Sequence, residues 1–239
     1  PGKITDAPKM DDRSLFRFAP GYEVDGVDSL LDWAEWPGAA GGFQGAVEMC
    51  NNNGACRKLE GGVMCPSYRA TRNERDAVRW RANTLRLAIS GQLGPDALTS
   101  DAMAETMKLC VSCKACKREC PVGIDMARMK VEVTAARAAK HGVPLHDRLI
   151  AHLPAYAPLA SKLASLSNLL QSGWRHVPGL AALVSRVTGF TTRRSLPRWH
   201  ANAFRTGEIG YAPTGDGVPM VLFADTFNRY FEPENLRAA

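Results

Sequence analysis

The feature that most constrains this chain is Cys110-Val111-Ser112-Cys113-Lys114-Ala115-Cys116-Lys117-Arg118-Glu119-Cys120-Pro121, which reads C-x2-C-x2-C-x3-C-P. Two-residue gaps fold a loop back tightly enough for three thiolates to cover one face of an iron-sulfur cube. The fourth cysteine leaves the loop where a proline can open a helix, since the N–H that proline lacks would be unpaired at that position anyway. N–H groups at such a helix start would face a cluster carrying negative charge.

An earlier stretch has the same grammar. Cys50 and Cys56 stand where the first and third cysteines would, Asn53 takes the middle slot, and Cys65-Pro66 supplies the closing pair after a longer loop containing Gly61-Gly62. The chain is therefore expected to carry two copies of one cluster-binding unit, the first short of one thiolate. In two-cluster ferredoxins the last cysteine of each run serves the other run's cube. Applied here, Cys65 joins Cys110, Cys113 and Cys116, and Cys120 joins Cys50 and Cys56. The remaining corner would be empty, held by Asn53, or filled from elsewhere. Without crossing, Cys120 completes its own loop's cube, and Cys50, Cys56 and Cys65 form a minor site or none.

Seven cysteines is an odd number, and four of them crowd into eleven positions, which suits metal ligation in a reducing compartment better than a disulfide framework. Zinc is the bland alternative, with Cys113-x2-Cys116 as half of a four-thiolate site. Zinc does not account for a third and fourth cysteine in the same loop ahead of proline. His141, His146, His152, His176 and His200 are scattered and read as surface or capping residues. No Ser-His-acid triad, phosphate loop or G-x-G-x-x-G fingerprint is present. The chemistry available is electron movement rather than bond making.

With 239 residues, 45% apolar and 23% charged, the chain is globular and can bury a sizeable core. Its net charge of +6 suits an acidic partner, a nucleic acid or an anionic membrane without choosing among them. Eight basic and three acidic residues lie between Arg57 and Arg86, which reads either as a solvated face or as arginines around a negatively charged cluster.

In chain order, residues 1–42 read as a linker packing on a neighbour, with an edge strand over Leu30–Trp36 and with Trp33, Trp36 and Phe43 as local packing rather than partner anchors. Helices are expected over Thr71–Ser90, from Thr99 or Ser100 to Leu109, and over Ile124–Lys140 with Gly142 just past its end. The last of these would bury a slim stripe of Ala127, Val131, Ala135 and Ala138 or Ala139. Leu159, Leu163, Leu166 and Leu170 recur at helical spacing and are expected to be buried over the core, with a membrane-lying or partner-binding helix as the rival reading. Val218–Asp225 reads as a buried strand, with a helix starting near Glu232.

Larger segments carry a resemblance. Glu48–Arg57, Met64–Thr71, Arg81–Arg86 and the Cys110–Pro121 run resemble the iron-sulfur half of fused FAD/iron-sulfur dehydrogenases of the bacterial D-2-hydroxyglutarate dehydrogenase type, related to the glycolate oxidase and D-lactate dehydrogenase iron-sulfur proteins. Pro1-Gly2-Lys3-Ile4 looks like the end of that family's FAD domain, and Val221–Ala239 like the opening of its cysteine-rich domain. The resemblance implies that FAD, in an adjoining domain, oxidises a 2-hydroxy acid while clusters carry electrons onward to a quinone or another carrier. Asn53 departs from the eight-cysteine pattern of relatives with two full runs. No catalytic residue is carried over.

The expected fold is mainly α: an α-helical ferredoxin-like domain with two Cys motifs and a truncated strand-helix unit at the C-terminus. The expected domains are a 1–42 linker, a 43–142 iron-sulfur domain, a 143–190 helical extension, a 191–217 linker, and the 218–239 start of an α/β domain. The expected cofactor is a 4Fe-4S cluster on Cys110, Cys113, Cys116 and Cys65, with a second on Cys50, Cys56 and Cys120 incomplete at Asn53. The expected partners are an FAD domain and a downstream electron acceptor, in the cytoplasm or peripheral to the inner membrane, without nucleic acid. Two rival readings are a separate iron-sulfur subunit docking on a flavoprotein, as in glycerol-3-phosphate dehydrogenase or heterodisulfide reductase, and a zinc-stabilised basic module binding nucleic acid.

Overall fold

The computed structural model describes residues 26–36, 41–174, 177, 179–191, 193–208 and 220–239. Expectations for Pro1–Ile4 and most of the 1–42 linker, for His176, for Val218 and Pro219, and for part of the 191–217 linker lie outside these residues. The described residues are mainly helical and contain no strand, and they divide into one compact unit ending at Gly142 and another beginning at Val143.

In the first unit, α3 (Val78–Ile89) is the central element. Val78, Ala82, Leu85 and Ile89 recur at helical spacing and are buried, and Arg81 falls on the same face. Burying a side chain such as Leu85 contributes about 1.5–3 kcal/mol. Against α3 pack α1 (Gly42–Glu48), through Phe43, Ala46 and Val47, and α4 (Asp101–Lys108), through Met103 and Met107. The Ser100 hydroxyl caps α4 by accepting the Met103 N–H at 3.2 Å. The expected helix over Thr71–Ser90 is shorter. A preceding helix, α2 (Pro66–Thr71), ends at left-handed Arg72, and Asn73 caps a 3-10 turn before α3 begins.

The sixth helix, α6 (Met126–His141), starts where the Asp125 carboxylate accepts the Arg128 N–H, and Gly142 at φ 77° ends it. Its buried residues are Met126, Ala127, Met129, Glu132 and Val133, whereas Val131 is 42% exposed, so the expected stripe is buried at Ala127 and runs out of phase from Val131 on. The phase is set by Glu132, a buried carboxylate that accepts N–H groups from Leu30 at 2.7 Å, Leu31 at 2.9 Å and the Trp33 indole at 2.7 Å. Those bonds hold Leu30–Trp36 as turns rather than as an edge strand, which has no partner strand to pair with among the described residues. Trp33 is buried with its ring 5.3 Å from Phe43, and Arg128 lies over it at 4.3 Å, so both aromatics pack locally.

The second unit holds α7 (Leu145–Ala151), α8 (Leu153–Lys162), α9 (Ala164–Gly173), α10 (Leu180–Thr188), α11 (Thr226–Tyr230) and α12 (Pro233–Ala238). Its small core gathers Ala157, Ala164 and Trp199, with the Phe231 ring tilted against Trp199 at 4.4 Å between centroids. The leucine stripe is not buried in it: Leu159, Leu163, Leu166 and Leu170 are all at least half exposed, because Leu163 breaks the helix and the small residues Ala157, Ser161 and Ala164 take the inward face. The described part of the expected C-terminal strand, Met220–Asp225, is non-helical chain with Met220, Val221 and Phe223 exposed. With no neighbouring strand among the described residues its backbone has nothing to pair with. Asp225 then caps α11, and α12 follows Glu232.

Candidate metal centre

Cys65, Cys110, Cys113 and Cys116 line one recess, together with Ser67 and Arg81. The short helices α2 and α5 (Ala115–Glu119) flank it, and α6 supplies Met126 and Ala127 at its wall. Cys65 and Cys116 are buried, Cys110 is half-buried and Cys113 is exposed. The chain winds around the recess through backbone that L-residues rarely adopt: Ser112 at φ 54°, Lys114 at φ 59° and Cys65 at φ 23°. Left-handed Asn52, at φ 60°, sits between Cys50 and Cys56, so four of the five positive-φ non-glycine residues described fall in the cysteine loops. Such strain persists where surrounding structure over-determines it, commonly at functional sites.

Pro66 stands at the first position of α2, directly after Cys65. Pro121 opens no helix. The chain turns through Gly123 at φ 66° and α6 starts at Met126. The loop is held from outside by the Lys130 ammonium, which donates to the Cys110 carbonyl at 2.6 Å. The Glu119 carboxylate accepts the N–H groups of Val63 and Met64, fastening the loop before Cys65 to the end of α5.

The donor set fits an iron-sulfur cube. Among the described residues no three His, Cys, Asp or Glu side chains converge closely enough to chelate a single ion, yet four cysteines line one recess. In a cube each thiolate binds its own iron, so the sulfurs stand further apart than around one zinc. Burial pushes the Cys116 thiol up to about 11, with Asp125 and Cys110 adding to the rise, while backbone N–H groups of Met126 and Lys117 pull the other way. Metal binding there must therefore release a proton.

Cys50 and Cys56 are both buried in the core that also holds Cys65 and Cys116. Burial raises the Cys56 thiol, the Arg79 backbone N–H opposes the rise, and Cys65, Cys50 and Glu74 add to it. The Cys50 sulfur lies 3.8 Å from the Asn52 amide oxygen, which also accepts from Asn83. Asn53 is exposed, and its side-chain oxygen accepts the Ala55 N–H at 2.9 Å, so that oxygen is occupied in a local turn. Cys120 packs against the same core and closes α5 through its N–H to the Cys116 carbonyl, outside the recess lined by Cys65.

Two residues, Arg81 in the recess wall and Glu119 at the end of α5, escape a reading based on cysteine spacing. Arg81 lay in the Arg57–Arg86 stretch, read either as a solvated face or as arginines around a cluster, without being singled out, and Glu119 had no sequence signal beyond its place before Cys120. The basic stretch is mixed: Arg57 and Arg79 pair with Glu74, and Arg81 reaches the Cys65 sulfur. The histidines are peripheral where described, with His141 at the Thr99 carbonyl and His146 beside Asp147.

Comparison with known families agrees with this geometry, since a model for the 4Fe-4S dicluster domain matches residues 46–124. The match covers about a third of the chain. The chain around it is similar to D-2-hydroxyglutarate dehydrogenases. It is 25% identical to that of Pseudomonas putida over 90% of this chain and 25% of the relative. It is 27% identical to that of Escherichia coli over 70% of this chain and 19% of the relative. It is also 27% identical to that of Pantoea ananatis over 55% and 16%. The chain thus spans a quarter or less of the relatives it matches. No solved structure matches it. Among the described residues no helix is long and apolar enough to cross a membrane.

Proposed function

We propose that the dicluster domain is the electron-transfer part of an FAD-linked 2-hydroxy acid dehydrogenase, with D-2-hydroxyglutarate as substrate, and passes electrons from flavin to a downstream acceptor. The observation that carries this reading is the recess where Cys65, from the first motif, meets Cys110, Cys113 and Cys116 from the second. In this reading those four thiolates hold one cube, and Cys50, Cys56 and Cys120 hold a second whose remaining corner is not a protein thiolate. A 4Fe-4S cluster supplies one-electron chemistry at a potential set by charge and hydrogen bonds at its sulfurs. The chain's own residues do the holding: Glu119 and Lys130 brace the loops, and the strained backbone at Cys65, Ser112 and Lys114 turns the loops about the recess. Substrate and FAD would bind in an adjoining domain. The proposed setting is the cytoplasm or the periphery of the inner membrane, with the exposed leucines of α8 and α9 as a surface for another domain or the membrane.

Cys65→Ser tests the reading. In chain purified without oxygen, iron and sulfide should fall by one cluster's worth and one paramagnetic signal should disappear on dithionite reduction, with helix content retained by circular dichroism. Full iron and an unchanged spectrum would remove Cys65 from the ligand set and with it the crossed arrangement.

A further inference from the structure

Arg81 is 1% exposed, the most buried charged residue described. From α3 its guanidinium spreads over three groups. The Nε donates to the Thr106 carbonyl at 3.0 Å, both terminal nitrogens reach the Ser67 hydroxyl at 3.2 Å, and Nη1 lies 3.8 Å from the Cys65 sulfur. The nearest carboxylate, Asp76, is 4.0 Å away, a loose partner for so dry a cation. Ser67 is itself fixed, donating to the Asp76 carbonyl at 3.0 Å with its oxygen 3.5 Å from the Cys65 sulfur. A buried guanidinium is costly unless matched by negative charge and satisfied donors. The Cys65 sulfur, which also donates to the Asp76 carbonyl at 3.3 Å, is the group that would complete the match as a cluster ligand.

We propose that Arg81 is a positioning residue that raises the reduction potential at the Cys65 recess, by holding an N–H and a permanent positive charge against the Cys65 sulfur. This rests on the reading of Cys65 as a ligand of the crossed site. Reduction adds one electron and therefore negative charge at the sulfurs. A guanidinium, which stays protonated, stabilises the reduced form more than the oxidised form with no proton transfer. A brace that merely joins α3 to α4 through Thr106 would leave the potential untouched.

The test is a dithionite titration of the full anaerobic chain, followed by electron paramagnetic resonance, on wild type, Arg81→Gln, Arg81→Lys and Arg75→Gln. Arg75 is exposed on the same segment and controls for net charge. At equal iron and sulfide content, Arg81→Gln should lower the equilibrium constant for reduction about tenfold or more, about 59 mV for one electron. Arg81→Lys should fall between it and wild type, and Arg75→Gln should match wild type. An Arg81→Gln chain with full iron and an unshifted potential overturns the proposal. If Arg81→Gln loses the cluster, Arg81→Lys decides, because an ammonium cannot reproduce the fork to Ser67 and Cys65: a lowered potential supports the proposal and an unshifted one overturns it. Wild-type chain that holds neither iron nor sulfide fails earlier and sinks the cluster reading itself.

Discussion

The Glu119 carboxylate accepts the Met64 N–H at 2.8 Å, so the residue before Cys65 is tied to the residue before Cys120. The same carboxylate takes the Val63 N–H at 2.8 Å. The two cysteine motifs, 55 positions apart, are therefore braced through protein atoms alone. Glu119→Ala should speed amide hydrogen exchange at Val63 and Met64 while helix content holds, and Glu119→Gln, which keeps one acceptor oxygen, should fall between. Unchanged exchange in the alanine variant would mean that the loop before Cys65 is held by something else.

Gly62 makes that approach possible. Its φ is +58°, and a Cβ there would stand 2.9 Å from the Glu119 carboxyl carbon. Gly62→Ala should cost about 1–2 kcal/mol from left-handed backbone alone, plus a share from displacing Glu119. In a double variant with Glu119→Ala the steric share should vanish and the backbone share should remain. Denaturant midpoints of the four proteins separate the two contributions.

Glu132 is 4% exposed and accepts three N–H groups from Leu30, Leu31 and Trp33. Glu132→Leu keeps similar bulk but leaves those donors without their acceptor. The first unit should lose about 3 kcal/mol, and Trp33 fluorescence should report a wetter indole. A midpoint within error of wild type would show that water or a shifted backbone replaces the carboxylate without loss.

In the second unit, the Arg237 guanidinium beside Glu208, followed by the Arg205 N–H, holds the Glu208 carboxyl below its usual 4.5. The native state thus binds fewer protons here than the unfolded chain as pH falls through this range. The stabilisation is complete above the usual carboxylate value and is lost as pH drops through the lower folded value. Glu208→Gln should melt below wild type at neutral pH, and the two curves should converge in acid. A constant gap across the range would rule out the carboxylate charge as the cause.

The sequence carried the chemistry better than the packing. Cysteine spacing is a local constraint, so the grouping of Cys110, Cys113 and Cys116 could be expected from it, as could Ser100 and Gly142 as helix limits, whereas Cys65 beside them was one of two arrangements the spacing left open. The phase of α6 could not be read, because a carboxylate at Glu132 looks like a solvent residue until its three donors arrive from about a hundred positions away. Pro66 and Pro121 share a motif but not a role, because Gly123 lets the chain turn before α6 begins. The leucines of α8 and α9 keep a helical period without burial, since periodicity marks a face and does not say what covers it.

The reach of Trp33 and Glu132 bears on how this protein can be cut. A fragment trimmed to the matched residues 46–124 would discard Phe43, Trp33 and the whole of α6, baring Met103, Met107 and the recess wall to water. The smallest piece expected to hold its shape runs from about Ser29 to Gly142, so recombinant boundaries drawn from the family match alone should give aggregated, iron-poor material.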